Sequence, residues 1–146
     1  MTDPEDITGW LRMDARLTTS GQPTEAGLGA LAALGVETVI NLGLHSHERA
    51  LPDEAASLAA LGIRYVHIPV LFDAPQEADF ERFCAAMAAA QGQVLHVHCI
   101  MNMRVTAFLY RYHRDVLRQG AEEARAMMAR IWQPKGVWAA FIGAPG

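Results

Sequence analysis

The most informative segment of this chain is Val94-Leu95-His96-Val97-His98-Cys99-Ile100-Met101-Asn102-Met103-Arg104. Its apolar first half is typical of a buried β-strand, which we predict over Gln93 to His98. A helical pattern with apolar residues on one face begins at Arg104. Cys99 is therefore expected at the carboxyl end of a strand, one short loop before the start of a helix.

Cys99 and Arg104 in this arrangement suit chemistry on an oxyanion such as phosphate. A thiol becomes a good nucleophile only when it ionises, and a helix N-terminus or a nearby cation favours the thiolate. The amides of Ile100 to Arg104 can form a concave nest that binds anions, and the helix start adds further N–H groups. The planar guanidinium of Arg104 can bind two oxygens of one anion. Asn102 is the loop residue that best tolerates a positive φ.

Strand and helix patterns alternate along the rest of the chain. The predicted strands are Val36 to Leu42, Ile63 to Val70 and Gln93 to His98, with a short first strand near Leu17 to Ser20 as an option. The predicted helices are Thr24 to Leu34, Pro52 to Leu61, Gln76 to Ala90, Arg104 to Arg118, Glu122 to Trp132 and Val137 to Ile142. This order predicts the α/β class, with a mostly parallel sheet of four to five strands flanked by helices, in a single domain over residues 1–146.

Polar residues follow three of the predicted strands. Asn41, Asp73 and Cys99 lie at or just beyond the strands' carboxyl ends. In parallel sheets ligands bind outside these ends. The sequence therefore predicts that three separate segments meet at one edge of the sheet.

The composition limits the classes of function. The chain has 146 residues, 51% hydrophobic and 19% charged, with a formal net charge of −4, which is typical of a globular protein and argues against nucleic acid as a partner. No apolar run approaches the ~20 residues needed to span a bilayer, and the acidic N-terminus lacks a signal-peptide pattern. We expect a cytoplasmic protein without a membrane partner; the oligomeric state cannot be predicted.

Metal and disulfide signals are weak. The two cysteines are too few for a disulfide framework. The histidine pairs His45-x-His47 and His96-x-His98 lack the further ligands that a zinc site needs. We expect no metal and no other cofactor.

Four motifs, in this order, resemble the cysteine-dependent protein tyrosine phosphatase superfamily. They are Thr19-Ser20-Gly21-Gln22-Pro23-Thr24, Thr38-Val39-Ile40-Asn41-Leu42, Tyr65-Val66-His67-Ile68-Pro69-Val70, and His98-Cys99 with Asn102-Met103-Arg104. More narrowly, the chain is similar to a bacterial branch of dual-specificity-phosphatase-like proteins. That branch is related to the phosphatase-like domain of beta-lactamase-hydrolase-like proteins.

The resemblance implies a role for each matching residue and a cysteine-phosphatase-like fold. Cys99 would be the nucleophile that forms a cysteinyl-phosphate, Arg104 would bind the phosphoryl oxygens, and Asp73 would be the general acid. His98 would brace the loop backbone. The remaining substrate-binding candidates are Ile100, Met101, Asn102, Met103, Thr106 and Asn41. The substrate would be a phosphorylated small molecule or a phosphoprotein, hydrolysed without a cofactor.

The chain departs from the superfamily pattern between Cys99 and Arg104. Four residues separate them, whereas the usual phosphatase loop has five, and Asn102 replaces the usual glycine. A hydroxyl is expected directly after the arginine, but Thr106 supplies it one position later. A loop of this length resembles that of sulfurtransferases, so a persulfide on Cys99 is one alternative. A module that binds an anion or a phosphorylated partner without turnover is another.

Several side chains have a structural alternative. Asp73 could cap the helix that follows, with Gln76 three residues on. Asn41 could brace the loop under the anion site or serve as a turn residue at a strand end. An exposed polar loop is favoured over a pocket rim for His45 and His47. His67, His96 and Cys84 are interpreted as packing residues.

Overall fold

The computed structural model of the chain, which describes residues 2–143, contains one five-stranded sheet. Its strands are β1 (Leu11–Arg12), β2 (Leu17–Ser20), β3 (Thr38–Asn41), β4 (Arg64–His67) and β5 (Leu95–His98). They lie in the order β1-β2-β5-β3-β4. The pair β1–β2 is antiparallel and the other pairs are parallel. The predicted α/β class and mostly parallel sheet are confirmed, including the optional strand at Leu17–Ser20, whereas β1 was not predicted.

Helices cover both faces of the sheet. They are α1 (Glu25–Ala33), α2 (Glu54–Ala60), α3 (Glu77–Ala89), α4 (Met103–Arg111), α5 (Ala121–Ile131) and α6 (Val137–Ile142). Helices α1 and α2 pack their leucines on one face of β3 through Val39, whereas α3 to α6 pack on the other face through Ile40. Neighbouring residues of a strand point to opposite faces, so one strand serves both cores.

The helix after Cys99 is shorter than predicted. The pattern over Arg104 to Arg118 indicates one continuous helix, but α4 ends at Arg111 and continues as a π-helical segment, Tyr112–Leu117. Arg118, with φ 55°, ends the segment. In the described part of the chain no helix is both long and apolar enough to cross a bilayer.

The register of the parallel strands brings their carboxyl ends together. His98, the last residue of β5, pairs with Ser20 of β2 on one side and with Asn41 of β3 on the other. Asn41 also pairs with His67, the last residue of β4. The loops after these four strands consequently start from one edge of the sheet, as predicted for Asn41 and Cys99.

Candidate active site

The loop from Cys99 to Arg104 connects β5 to α4 and presents its backbone amides as a group. Asn102 adopts φ 64° and ψ 11°, which confirms the predicted left-handed residue. The amides of residues 100–104 donate no hydrogen bond to any acceptor in the described part of the chain. Successive free amides around a left-handed residue at a helix N-terminus form an anion-binding concavity.

The segment after β2 holds one side of this loop. The amide of Gln22 donates to the carbonyl of Ile100 at 3.0 Å, and the amide of Cys99 donates to the carbonyl of Ser20 at 3.4 Å. A Cβ on Gly21 would overlap the carbonyl oxygen of Ile100, so only glycine allows this approach. The Ser20-Gly21-Gln22 part of the first motif therefore packs against the loop that contains Cys99 and stabilises it.

Asn102 holds the other side of the loop through its buried side chain. Its Nδ2 donates to the carbonyl of Gly9 at 2.8 Å and to Oγ1 of Thr19 at 2.9 Å. These two bonds fix the residue that carries the positive φ. Asn102 therefore stabilises the conformation of the loop.

Cys99 and Arg104 line the same cavity, which has a volume of about 310 Å³. Its other lining residues are Leu44, His47, Phe72, Ile100, Met101 and Met103. The Cys99 side chain is fully buried from bulk solvent. A sulfur at the floor of a pocket that a small anion can enter has the placement that a nucleophile needs.

The Arg104 guanidinium is buried, and only one of its nitrogens donates to a protein acceptor among the described residues. Its Nη1 donates to the carbonyl of Val70 at 2.7 Å, and Cζ lies 5.8 Å from the centre of the Phe72 ring. Val70 O is its one hydrogen-bond acceptor among the described residues, so the other N–H groups remain available to an anion in the cavity. Arginine near a helix N-terminus is unfavourable without such an anion.

A buried ion pair lies behind the loop. His98 places Nε2 2.6 Å from Oε2 of Glu54 and Nδ1 3.0 Å from the carbonyl oxygen of Cys99. Gln22 donates from Nε2 to Oε1 of Glu54 at 2.9 Å. All three side chains are buried, with Glu54 only 3% exposed.

This network determines the charge of His98. Burial works to raise the pKa of Glu54, but the hydrogen bond and positive charge of His98, with the Gln22 bond, hold that pKa below its ordinary value. An ionised carboxylate and a carbonyl both only accept, so both nitrogens of His98 donate and the ring is an imidazolium. Through the Cys99 carbonyl, His98 contacts the backbone at the start of the loop. The sequence did not indicate that Glu54 belongs to the site, because a glutamate at the first position of a helix is common.

His96 behaves as the predicted core histidine. Thr18 Oγ1 lies 2.8 Å from its Nδ1, and Ser20 Oγ lies 2.8 Å from its Nε2. Burial lowers the pKa of His96 well below its ordinary value, and the charge of His98 acts in the same direction. His96 is therefore neutral, and the positive charge of this strand is on His98.

Asp73 lies on an exposed turn beside the cavity. The amide of Ala74 donates to the carbonyl of Leu71 at 3.2 Å and closes the turn. Phe72 lines the cavity, but Asp73 is not among the lining residues. The alternative that Asp73 caps the next helix is wrong, because the N-cap of α3 is Gln76, whose amide donates to Asp79 at 3.0 Å.

Two of the predicted substrate-binding side chains make other contacts. Thr106 donates its hydroxyl hydrogen to the carbonyl of Asn102 or Met103 and accepts from Trp132 Nε1. A hydroxyl has a single hydrogen, which Thr106 gives to the backbone here, and a contact of Thr106 with the thiolate stays a prediction.

Asn41 shapes the turn after its own strand. Its Oδ1 accepts from the amide of Gly43 at 2.7 Å, and its Nδ2 donates to the Tyr65 hydroxyl at 3.0 Å. Of the two predictions for Asn41, the turn residue at a strand end describes these bonds. The role of Asn41 in substrate binding or in bracing the loop under the anion site stays a prediction.

The loop after β3 brings His47 to the cavity and leaves His45 outside it. His45 stacks on His67 with 3.8 Å between ring centres. His47 is exposed yet lines the cavity, so the favoured interpretation as a plain solvent-exposed loop misses its position. Its Nδ1 accepts from the amide of Arg49 at 3.0 Å, which leaves Nε2 as the nitrogen that carries the proton in the neutral ring.

Fold and site together define a member of the protein tyrosine phosphatase superfamily with dual-specificity-phosphatase-like architecture. A sequence model of the family described as DSP-PTPase phosphatase fused to NAD+ kinase matches residues 3–137, and the chain belongs to that family. The predicted resemblance is confirmed.

Individual proteins agree with this assignment. The chain is 32% identical to the DUF442 protein of Shewanella putrefaciens CN-32, with a TM-score of 0.83 over 94% of this chain and 91% of that chain. It is 36% identical over 92 residues to the Beta-lactamase hydrolase-like protein of Agrobacterium fabrum; the match covers 61% of this chain and 21% of that protein, so it spans about a fifth of the relative's length. P. aeruginosa TpbA, solved with pTyr, shares the fold at 22% identity, a TM-score of 0.65 and coverage of 82% and 71%.

Proposed function

We propose that the chain hydrolyses a phosphate monoester through a cysteinyl-phosphate on Cys99. The observation that carries this proposal is the set of free amides of residues 100–104, which lie in one loop with a cavity-lining cysteine and a partly unpaired arginine. Backbone N–H groups and a guanidinium aimed at one anion stabilise the charge of a phosphoryl transition state. A phosphorylated small molecule or phosphoprotein is the substrate that this site suits, and TpbA, with the same fold, binds pTyr.

The reaction has two steps. The Cys99 thiolate attacks phosphorus, an S–P bond forms, and the ester P–O bond breaks as Asp73 protonates the leaving oxygen. Water then attacks phosphorus with the Asp73 carboxylate as base, the S–P bond breaks, and inorganic phosphate leaves with the thiolate restored. Arg104 and the loop amides hold the non-bridging oxygens through both steps.

Replacing the sulfur tests this proposal. Cys99→Ser should lower kcat/KM for p-nitrophenyl phosphate by about 10³-fold or more, the scale at which an enzyme loses its nucleophile. Cys84→Ser is the matched control, since Cys84 is a half-buried packing residue on α3, and it should keep the parental rate. Wild-type turnover in Cys99→Ser would exclude the mechanism.

The short spacing from Cys99 to Arg104 favours sulfur transfer as a second candidate function. The thiolate would take the outer sulfur of thiosulfate and release sulfite, leaving a persulfide. Incubation with thiosulfate followed by intact mass measurement decides this point: a gain of one sulfur atom, absent in Cys99→Ser, supports sulfur transfer. Stabilisation by phosphate without turnover of either substrate would instead indicate a binding module.

A further inference from the structure

The walls of the Cys99 cavity are almost entirely hydrocarbon. Leu44, Phe72 and the side chains of Ile100, Met101 and Met103 surround the sulfur and the guanidinium. Within the described part of the chain, His47 is the one further polar side chain in the lining. An apolar pocket with a few placed polar groups is built for a ligand with a polar end and an apolar remainder.

Apolar surface continues from the cavity to its mouth. Phe72 and Met101 line the cavity and are also 43% and 47% exposed, and Leu71, next to Phe72, is 48% exposed. Exposed apolar patches mark places where a ligand or partner is bound. The patch is continuous with the anion loop, so the same ligand can contact both.

Positive charge at the site is limited to what one phosphoryl group needs. Arg104 is the single lysine or arginine in the cavity lining of the described chain. Arg49 approaches from the exposed loop after β3, where Nη1 lies 3.3 Å from the Met101 sulfur. A second phosphate on the substrate would face hydrocarbon, and burying an unpaired charge there is costly.

We propose that the site takes monoesters that carry one phosphoryl group on an aliphatic chain, an inference that rests on the anion site of the proposed function. Leu44, Met101 and Met103 are flexible side chains that adapt to an alkyl group. Phe72 is the one phenyl ring among the described lining residues, and the other ring is the polar imidazole of the exposed His47, so an aryl group would have only one hydrocarbon ring to stack against. The side chains that line the cavity therefore select the ester group, whereas the loop amides bind the phosphoryl group that all the substrates share.

Binding of n-alkylphosphonates, measured by calorimetry, tests the preference without requiring turnover. From methyl- to octylphosphonate the Kd should fall about fourfold per methylene, equivalent to ~0.8 kcal/mol, until the chain outgrows the cavity of about 310 Å³. Hexylphosphonate should bind more tightly than phenylphosphonate, which has the same number of carbon atoms.

Variants locate the preference in the cavity wall. Leu44→Gln should at least halve the slope of log Kd against chain length, whatever its effect on methylphosphonate. Leu61→Gln makes the same replacement at a leucine that is 41% exposed at the end of α2, and it should leave the slope unchanged.

The outcomes separate this inference from the proposed function. A Kd independent of chain length, a slope unaffected by Leu44→Gln, or tighter binding of phenyl- than of hexylphosphonate would each overturn the aliphatic preference. Failure of every phosphonate to bind would overturn it together with the anion site. A preserved chain-length series in a protein that does not hydrolyse p-nitrophenyl phosphate would support the aliphatic pocket and refute only the hydrolytic mechanism.

Discussion

At the scale of single residues, Glu54 is the least expected participant in the site. Its carboxylate, 3% exposed, lies against the Nε2 of His98, whose other nitrogen donates to the carbonyl of Cys99. Because a buried charge is tolerated only when it is paired, Glu54 and His98 depend on each other. The pair joins the backbone that carries the proposed nucleophile to α2, and Glu54 is a positioning residue because it acts through His98.

Replacing Glu54 with glutamine should destabilise the protein and alter the activity. Glu54→Gln keeps the shape but leaves the imidazolium without a counter-charge, which should lower the free energy of unfolding by about 3 kcal/mol at neutral pH. Because the pKa of Glu54 is lowered in the folded protein, this contribution is present above the carboxyl's unfolded-state pKa and is lost as the pH falls through its folded-state pKa. Urea denaturation across acidic pH measures the difference.

A surface carboxylate provides the control for this charge effect. Glu77 pairs with Arg111, but its side chain is 67% exposed, and exposed ion pairs contribute only about 0–1 kcal/mol. Glu77→Gln should therefore change stability by less than 1 kcal/mol. Equal losses in Glu54→Gln and Glu77→Gln would refute the importance of the buried pair. The kcat/KM for p-nitrophenyl phosphate should fall in Glu54→Gln alone, because His98 contacts the Cys99 carbonyl and Glu54 holds His98 in place.

At the scale of elements, the loop between β5 and α4 depends on the segment between β2 and α1. The carbonyl of Ser20 and the amide of Gln22 bracket Gly21, and both bond to the Cys99 loop. Neither segment is regular secondary structure, so neither is shaped by its own repeat of hydrogen bonds. Each takes its form from the other across the ends of two paired strands.

Adding a single methyl group at Gly21 tests this dependence. In Gly21→Ala the new Cβ would overlap the carbonyl oxygen of Ile100 and lie 2.6 Å from Cγ2 of Thr8. The strain should lower the free energy of unfolding by about 1–3 kcal/mol. The displaced loop should lower kcat/KM for p-nitrophenyl phosphate, measured at a temperature where the variant is still folded.

Gly29→Ala is the matched substitution outside the loop contact. Gly29 lies in α1, and a Cβ there would have no atom within 4 Å. Alanine should raise the stability by about 0.5–1 kcal/mol, because it is the better helix former, and leave turnover unchanged. A fully active Gly21→Ala protein would show that the close approach does not shape the loop.

At the scale of the whole molecule, the end of the described chain reaches back to the site. Trp138 of α6 is 2% exposed and donates from Nε1 to the carbonyl of Phe72 at 2.6 Å. That bond holds the turn on which Asp73 lies. Trp132, just after α5, donates to Thr106 on α4. The last helices therefore pack against both the proposed acid turn and the helix that follows Cys99.

Replacing Asp73 tests its role as the acid. Asp73→Asn should lower kcat/KM for a phosphate ester with a poor leaving group by about 10²–10⁴-fold, with a smaller loss for p-nitrophenyl phosphate, whose leaving group needs less protonation. Trp138→Phe removes the hydrogen bond that holds the turn. It should lower kcat/KM for the ester with the poor leaving group by up to about 10²-fold, with a smaller loss for p-nitrophenyl phosphate.

Asp115→Asn is the control, since Asp115 is a half-exposed carboxylate paired with Arg114, and it should leave the rate unchanged. An Asp73→Asn protein with the parental dependence on leaving group would remove Asp73 from the mechanism. His47 would then be the remaining titratable side chain in the cavity lining, apart from Cys99 and Arg104, within the described residues.

Local patterns were sufficient to predict much of the molecule. The strands and helices were predicted from apolar periodicity. The positive φ of Asn102 was predicted because asparagine tolerates the left-handed region better than the other residues of the loop. The π-helical end of α4 was missed because its apolar spacing continues the helical period. The alternative that Asp73 caps α3 was wrong because Asp73 lies in the separate turn at Leu71–Ala74 and Gln76 is the N-cap, and no local pattern records this choice.

Residue patterns were enough to infer the α/β architecture, the family and the juxtaposition of Cys99, Arg104 and the loop amides, because these rest on short-range patterns and on the rule that parallel strands end at one edge. The folded structure was needed to show that Glu54 neutralises His98, that Trp138 holds the Phe72 turn and that hydrocarbon side chains line the cavity. These contacts join residues as far as 44 and 66 positions apart. Contacts at such separations are selected by how whole helices pack on the sheet, and a local pattern of residues does not encode that packing.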